Sequence, residues 1–248
     1  MINKQTVKYI QSLQHKKFRD EHGAFIAEGP KVVTELLKDN IFVCEALYCT
    51  AKGKEMIPGS LLSDHSDKMS LLEDFEMEKL SALSVPNNLL AVFKKRDVSS
   101  SRTFNALLTL VLDDIQDPGN LGTIIRNADW FGIKNIICSR ATADCYNPKV
   151  VQSTMASLGR VNMIYADIQS LFIVNPSVPK YAAVLGGKDI RSLGKIKEGF
   201  ILIGNESKGI SEELLEMADE KISIPGSGYA ESLNAAVATG IILFSVTG

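Results

Sequence analysis

The sequence predicts a two-domain α/β protein, a small mixed domain followed by a larger one built on a parallel sheet. Three observations predict it. Apolar runs of strand length alternate with helix-period segments along the chain. In the second half these runs are apolar almost throughout, which suits strands buried on both faces of a parallel sheet. Between the halves lies a charged and then serine-rich stretch, 94–103, with Asp97-Val98-Ser99-Ser100-Ser101-Arg102 at its centre, the composition of a linker. The expected boundaries are 1–98 for the first domain, 99–103 for the linker and 104–248 for the second, and a chain of 248 residues accommodates them.

Each element has its own signal. Residues 3–14 carry Val7, Ile10 and Leu13 at helical spacing, with lysines on the other side. Ala24-Phe25-Ile26-Ala27 reads as a strand, and Val32, Val33, Leu36 and Leu37 form a helix after Glu28-Gly29-Pro30. Ala46-Leu47-Tyr48-Cys49 is a second strand, and the polar stretch 51–70 reads as loop with brief structure. A short helix is expected at 77–83 and a strand at 89–93. Beyond the linker, strands are expected at 107–112, 135–138, 181–185, 200–203 and 221–224. A helix over 121–131 follows the turn residues Asp117-Pro118-Gly119-Asn120. Another starts near Pro148, a favourable first-turn residue, and a third at Ser211-Glu212-Glu213, an N-cap followed by acids. The last helix runs from about Glu231 to the end.

Composition narrows the function. A hydrophobic content of 45% fills an ordinary globular core. The net charge of −2 and pI near 6.0 argue against sequence-blind nucleic-acid binding, yet they leave room for a local basic patch. One such patch exists: before Asp20 the chain has Lys4, Lys8, Lys16, Lys17 and Arg19 and no acid. A run of this kind is most often a solvated helix face, and otherwise a phosphate contact. Cys44, Cys49, Cys138 and Cys145 lack CxxC spacing and read as reduced cytoplasmic thiols, and His15, His22 and His65 are not placed to complete a metal site with them. The N-terminus has no apolar leader, and the longest apolar run, 235–246, is too short to span a bilayer.

Three segments carry the chemistry. Asn120-Leu121-Gly122-Thr123-Ile124-Ile125-Arg126-Asn127-Ala128 follows a strand and its acidic end, where open α/β sheets bind ligands. Ile203-Gly204-Asn205-Glu206-Ser207-Lys208-Gly209 is a strand ending in glycine and a polar pair. Ile222-Ser223-Ile224-Pro225 leads to Glu231-Ser232-Leu233-Asn234-Ala235-Ala236-Val237-Ala238, whose small residues permit close helix packing. The intervening Gly226-Ser227-Gly228-Tyr229-Ala230-Glu231 imitates a dinucleotide-binding glycine loop. Its third glycine is replaced by Glu231, and too few residues follow to supply the acid that such folds place roughly 20 positions later. A nicotinamide dehydrogenase is thereby disfavoured.

In order and spacing the three segments resemble the motifs of the SpoU family of RNA ribose 2′-O-methyltransferases, which belong to the knotted methyltransferases that use S-adenosylmethionine. Lys17-Phe18-Arg19-Asp20 and Phe25-Ile26-Ala27-Glu28-Gly29 resemble that family's auxiliary ribosomal-protein-like domain, and 148–158 resembles a further family segment with Ala156 where glycine is frequent. The resemblance implies an N-terminal RNA-binding domain, a C-terminal knotted methyltransferase domain and a homodimer with active sites at the subunit interface. It implies methyl transfer from S-adenosylmethionine to a ribose 2′-hydroxyl of ribosomal or transfer RNA, without metal or membrane. Residue by residue, it implies catalytic-site roles for Asn120, Arg126, Glu206, Ser232 and Asn234, and cofactor contacts at Gly204, Ile224 and Leu233. It also favours RNA contact by Lys16, Lys17 and Arg19.

Arg126 is assigned by the family the activation of the ribose hydroxyl. Arginine stays protonated in nearly all settings, so two roles stand: a base in an unusual environment, or a phosphate clamp that places the hydroxyl while its proton leaves to water. The rival reading for the whole chain is an RNA-binding or ribosome-assembly factor that keeps this fold without turnover. Every motif position named above is intact, whereas a decayed enzyme is expected to lose Arg126, Asn234 or Gly204.

Overall fold

A computed structural model of the chain describes residues 2–83, 85–96 and 104–247. The expected linker at 99–103 lies outside the described residues. By contacts the chain divides into two compact units, one of Met1–Asp97 with Asp144–Gly159, the other of Val98–Ala143 with Arg160–Gly248.

The first unit is a four-stranded sheet with helices. It begins with α1 (Lys4–Ser12), whose N-cap Asn3 accepts a hydrogen bond from the Thr6 N–H, and α2 (Lys16–His22). Strand β1 (Ala24–Glu28) follows, then α3 (Pro30–Asp39), which has proline in its first turn and a left-handed Asn40 at its end. Strand β2 (Cys44–Cys49) comes next. The stretch expected to be mainly loop instead holds α4 (Ala51–Glu55), α5 (Gly59–Asp64) and strand β3 (Met69–Leu71). There Thr50 caps the Gly53 N–H, and the Asn88 carbonyl oxygen leaves no room for a side chain at Gly53, since a Cβ would lie 1.9 Å from it. Helix α6 (Asp74–Leu80) starts three residues before the expected 77–83, because Glu73 and Glu76 form a reciprocal capping box, while Ser81 is extended. Strand β4 (Leu89–Lys94) completes the order β1-β4-β2-β3, with only the β2–β3 pair parallel. Ile10, Leu13, Ile26, Met77, Leu80 and Val92 fill one face of the sheet.

The second unit carries a six-stranded, wholly parallel sheet. Strand β5 (Leu108–Asp113) leads to α7 (Pro118–Trp130) and β6 (Asn135–Cys138). The expected start of α7 at 121 is corrected by three residues, because Asp117 is the N-cap and its carboxylate accepts from the Asn120 N–H at 2.8 Å. Pro118 is the first residue of the helix rather than part of a preceding turn. Helix α8 (Pro148–Ser153) belongs to the first unit, packed on β1. Strand β7 (Asn162–Tyr165) and α9 (Ile168–Val174) were not legible in the sequence: the strand has four residues at the sheet edge, and its Asn-Met-Ile-Tyr pattern is weak. Strands β8 (Lys180–Asp189) and β9 (Gly199–Gly204), helix α10 (Glu212–Glu216) and strand β10 (Glu220–Ser223) follow. The last helix, α11 (Ala235–Thr247), starts four residues after the expected Glu231.

Strand order is β10-β8-β9-β5-β6-β7. Leu110, Val111, Leu112, Ile136, Ile137, Ile201 and Leu202 are fully buried, the pattern of a sheet covered on both faces, and each contributes about 1.5–3 kcal/mol. Helix α11 packs against α7 and β9. Gly240 permits the approach to α7: a Cβ there would lie 3.2 Å from Asn127 Nδ2, which donates to the Ala236 carbonyl at 2.9 Å. Among the described residues no helix is long and apolar enough to cross a membrane.

Candidate active site

The site forms where the carboxyl ends of β5 and β9 meet the start of α11. At the end of β5, Asp114 adopts a left-handed backbone (φ 58°), and its N–H donates to Ser139 Oγ at 2.9 Å. Its carbonyl accepts from Asn205 Nδ2 at 2.8 Å, fastening the loop after β9 to the end of β5. The Asn205 carboxamide oxygen accepts from the N–H groups of Ser207 (2.9 Å) and Lys208 (3.1 Å), and the Asn205 and Gly209 backbones bridge. The result is a tight hairpin. It folds back over Gly204 so closely that a Cβ there would lie 2.3 Å from the Gly209 and Ile210 backbone. The glycine is thus required by chain packing, and Glu206 stands exposed at the tip.

Asn120, in the first turn of α7, bridges this hairpin to α11. Its Nδ2 donates to Glu206 Oε1, and its Oδ1 accepts from Asn234 Nδ2 at 2.9 Å. Asn234 Oδ1 in turn accepts from the N–H groups of Ala236 (3.0 Å) and Val237 (3.3 Å), so Asn234 is the N-cap of α11. Both amide orientations follow from this chain. A carboxylate can only accept, so Asn120 turns its NH₂ to Glu206, and the free helix N–H groups take the oxygen of Asn234. One side chain from each of the three sequence segments therefore lies in one hydrogen-bonded row.

The other expected site residues are placed differently. Arg126 is exposed on α7 and makes no hydrogen bond or ion pair among the described residues. Six residues of helix turn it about 120° away from Asn120, so within one chain it does not join the row. It shares a helix face with Trp130, which is 84% exposed. Ser232 and Leu233 are exposed just before α11, and Ile224 is half-buried just beyond β10. Between them, the backbone N–H groups of 226–233 form no hydrogen bond within the described residues, so the loop has free donors beside free carbonyls. Such a loop fits a ligand whose polar edges need backbone partners, as those of adenosine and methionine do.

The basic residues of the first unit divide. Lys16 and Lys17 are exposed; Lys16 pairs with Asp20 at 2.7 Å. Arg19 corrects the expectation, because it is 1% exposed. Its Nη2 and Nε hold Asp144 at 2.6 and 3.0 Å, and its Nη1 donates to the Leu13 and Gln14 carbonyls. A guanidinium with these partners is a structural anchor and has no face to offer a phosphate. The four cysteines are buried and form no disulfide among the described residues, and burial pushes the Cys44 thiol up to about 11. Among the described residues, no three His, Cys, Asp or Glu side chains gather as a metal site would need. Asn205 and Asp117 were missed as organisers of the site, although Asp117-Pro118 carries a legible N-cap signal.

Known proteins resemble this chain along nearly its whole length. The sequence signature of the SpoU rRNA Methylase family matches residues 107–244, and that of the MRM3-like substrate binding domain matches 4–91. The chain is 30% identical over 247 residues to the 23S rRNA (guanosine(2553)-2′-O)-methyltransferase RlmP of Bacillus subtilis, covering 98% of this chain and 96% of that one. A solved structure of a putative RNA methyltransferase of the TrmH family from Porphyromonas gingivalis superposes with a TM-score of 0.84 at 33% identity, covering 99% of this chain and 98% of the other. The AdoMet-bound rRNA methyltransferase of Sinorhizobium meliloti superposes with a TM-score of 0.85 at 30% identity, covering 99% and 95%. With more than half its length matched by the family signature and a near full-length relative at this identity, the chain belongs to the SpoU rRNA methylase family.

Proposed function

We propose that the row Glu206–Asn120–Asn234 is the catalytic centre of this RNA ribose 2′-O-methyltransferase, completed by Arg126 and Ser232, with Gly204, Ile224 and Leu233 holding S-adenosylmethionine. The chain is an S-adenosylmethionine-dependent RNA methyltransferase, and its substrate is ribosomal or transfer RNA. The observation that carries the assignment of residues is the Asn120 bridge between Glu206 and Asn234.

S-adenosylmethionine, when bound, supplies a methyl group on a sulfonium, open to direct displacement by an oxygen nucleophile. The protein's part is then positioning and help with deprotonation. Asn120 occupies one oxygen of Glu206, which leaves the other free to accept from a ribose hydroxyl and fix its lone pair toward the methyl group. Asn234, held by its cap bonds to α11, keeps Asn120 from rotating away. The exposed Arg126 makes no hydrogen bond or ion pair among the described residues, so its planar fork of donors is available to clamp a phosphate beside the target ribose.

The active protein is a homodimer. In support, Trp130 of α7 and Val237, Ile241 and Phe244 of α11 leave an apolar face exposed on two helices that pack together. A partner that covers this face brings its own Arg126 near the row. Residues 1–98 recognise RNA, and the contacts fall to Lys4, Lys8, Lys16 and Lys17, which are exposed, rather than to Arg19. The protein works in the cytoplasm, where its RNA is and where its four thiols stay reduced.

Transfer of labelled methyl groups to ribosomal and transfer RNA from cells lacking the gene, followed by mapping of 2′-O-methyl riboses, tests this reading. One restored mark is expected. RNA binding with no methyl incorporation into any RNA would leave a silent RNA-binding factor instead.

A further inference from the structure

A cleft opens beside the row. It has a volume of about 470 Å³ and lies across the carboxyl ends of β5, β6, β7 and β9. These strands flank the place where the chain reverses its direction of travel across the sheet: after β5 it moves outward to β6 and β7, and later it returns on the other side through β8 to β9. Parallel sheets bind ligands at such a point. The cofactor positions Ile224 and Leu233 are not in its wall. Ile224 follows β10, which β8 and β9 separate from β5.

The lining has a two-part chemistry. Ile168 and Leu214, 5% and 3% exposed, provide an apolar floor. Arg140 and Lys208 stand exposed at the rim. Three aspartates share the wall, each oriented by a hydrogen bond from the protein: Asp113 accepts from the Ser211 N–H, Asp114 from Gln116, and Asp167 from the Ser170 N–H. Hydrogen bonds from Ser170, with a smaller contribution from Arg140, hold the Asp167 carboxyl below its usual range. Arg140 makes no hydrogen bond among the described residues, and Lys208 reaches Asp114 only at 3.9 Å. The planar guanidinium of Arg140 and the ammonium of Lys208 at the rim of an apolar floor suit an aromatic base with a phosphate attached. Asn205 lines the cleft and carries the hairpin that presents Glu206, so an occupant lies next to the target ribose.

We propose that this cleft is a nucleotide subsite. It seats the RNA residue flanking the methylated ribose, with its base on Ile168 and Leu214 and its phosphate against Arg140 and Lys208. The proposal rests on the RNA methyltransferase reading, but it is tested without turnover. The full-length protein, isotopically labelled and saturated with S-adenosylhomocysteine, is titrated with each of the four nucleoside 5′-monophosphates, with the free nucleosides and with inorganic phosphate. Saturable shifts of the Ala141, Asp167 and Gly209 amides are expected with at least one monophosphate, about tenfold tighter than with its nucleoside or with phosphate alone. Arg140→Ala should weaken that binding about tenfold and raise KM for RNA while leaving kcat and S-adenosylhomocysteine affinity unchanged. No shift with any monophosphate overturns the proposal. So does equal binding of inorganic phosphate, which marks a bare anion spot, and so does competition by S-adenosylhomocysteine, which makes the cleft part of the cofactor site. Failure of the enzymatic reading shows separately, as wild-type protein that neither binds S-adenosylhomocysteine nor methylates RNA.

Discussion

Asn234 donates its side-chain amide to Asn120 at 2.9 Å, across 114 positions of sequence, and so ties the cap of the C-terminal helix to the first turn of α7. The bond makes the two residues one unit. Asn120→Ala should lower kcat about tenfold with little change in cofactor affinity, because Glu206 loses its orienting donor. Asn234→Ala should do the same and also uncap α11, costing about 1 kcal/mol of stability. In a double-mutant cycle on kcat, the two should be less than additive by at least about 0.5 kcal/mol. Strict additivity would mean that the row does not act as a unit.

Arg126→Ala should leave stability within about 0.5 kcal/mol of wild type, since the exposed side chain has no partner among the described residues, while turnover falls on the order of a hundredfold. Lysine should rescue poorly, because it lacks the planar fork. Mixing Arg126→Ala with Asn234→Ala protomers distinguishes whose site the arginine serves. If it serves the partner's, half of the heterodimer sites are intact, and activity returns to about a quarter of wild type. No recovery on mixing would place Arg126 in its own chain's site.

Gly204→Ala should destabilise the second unit by roughly 3 kcal/mol in urea unfolding, because the added Cβ meets the Gly209 and Ile210 backbone and no rotamer change can relieve it. Unchanged stability with weakened cofactor binding would instead show that the glycine is kept for the ligand alone.

Arg19 and its neighbours should separate stability from binding. Arg19→Met leaves the half-buried Asp144 without its guanidinium partner and should cost about 3 kcal/mol. Lys16→Glu with Lys17→Glu should leave stability nearly unchanged, raise KM for RNA more than it lowers kcat, and flatten the salt dependence of binding. Weaker RNA binding by Arg19→Met at undiminished stability would return Arg19 to the RNA surface.

Glu76 supplies a pH signature in the first unit. Backbone hydrogen bonds from Ile2 (2.8 Å) and Glu73 (3.1 Å) hold its carboxyl below the ordinary range. A depressed folded value means that the contribution is complete above the unfolded carboxylate pKa and is lost as pH falls through the folded one. Glu76→Gln should therefore lower the midpoint of thermal unfolding at neutral pH, and the gap to wild type should close on the acid side. A gap that is constant with pH would assign the effect to packing.

The sequence by itself determined the elements whose signals are local. Apolar runs placed the core strands β5, β6 and β9, the proline at 148 marked a helix start, and the three motifs carried the family. Signals spread over a few residues and shared with turns were less legible. The start of α7 was hidden because Asp117-Pro118-Gly119-Asn120 serves a turn and a helix N-terminus equally well, and β7 because four edge residues carry little periodicity. Only the tertiary structure decided that Arg19, in a run of surface lysines, turns inward to Asp144, since helical spacing does not reveal an acid 125 positions away. It alone decided that Asn120, Glu206 and Asn234 meet while Arg126 faces away. Strand order fixes that meeting: β5 and β9 pair side by side although 86 residues separate Asn120 from Glu206, and no local pattern encodes which strand ends become neighbours.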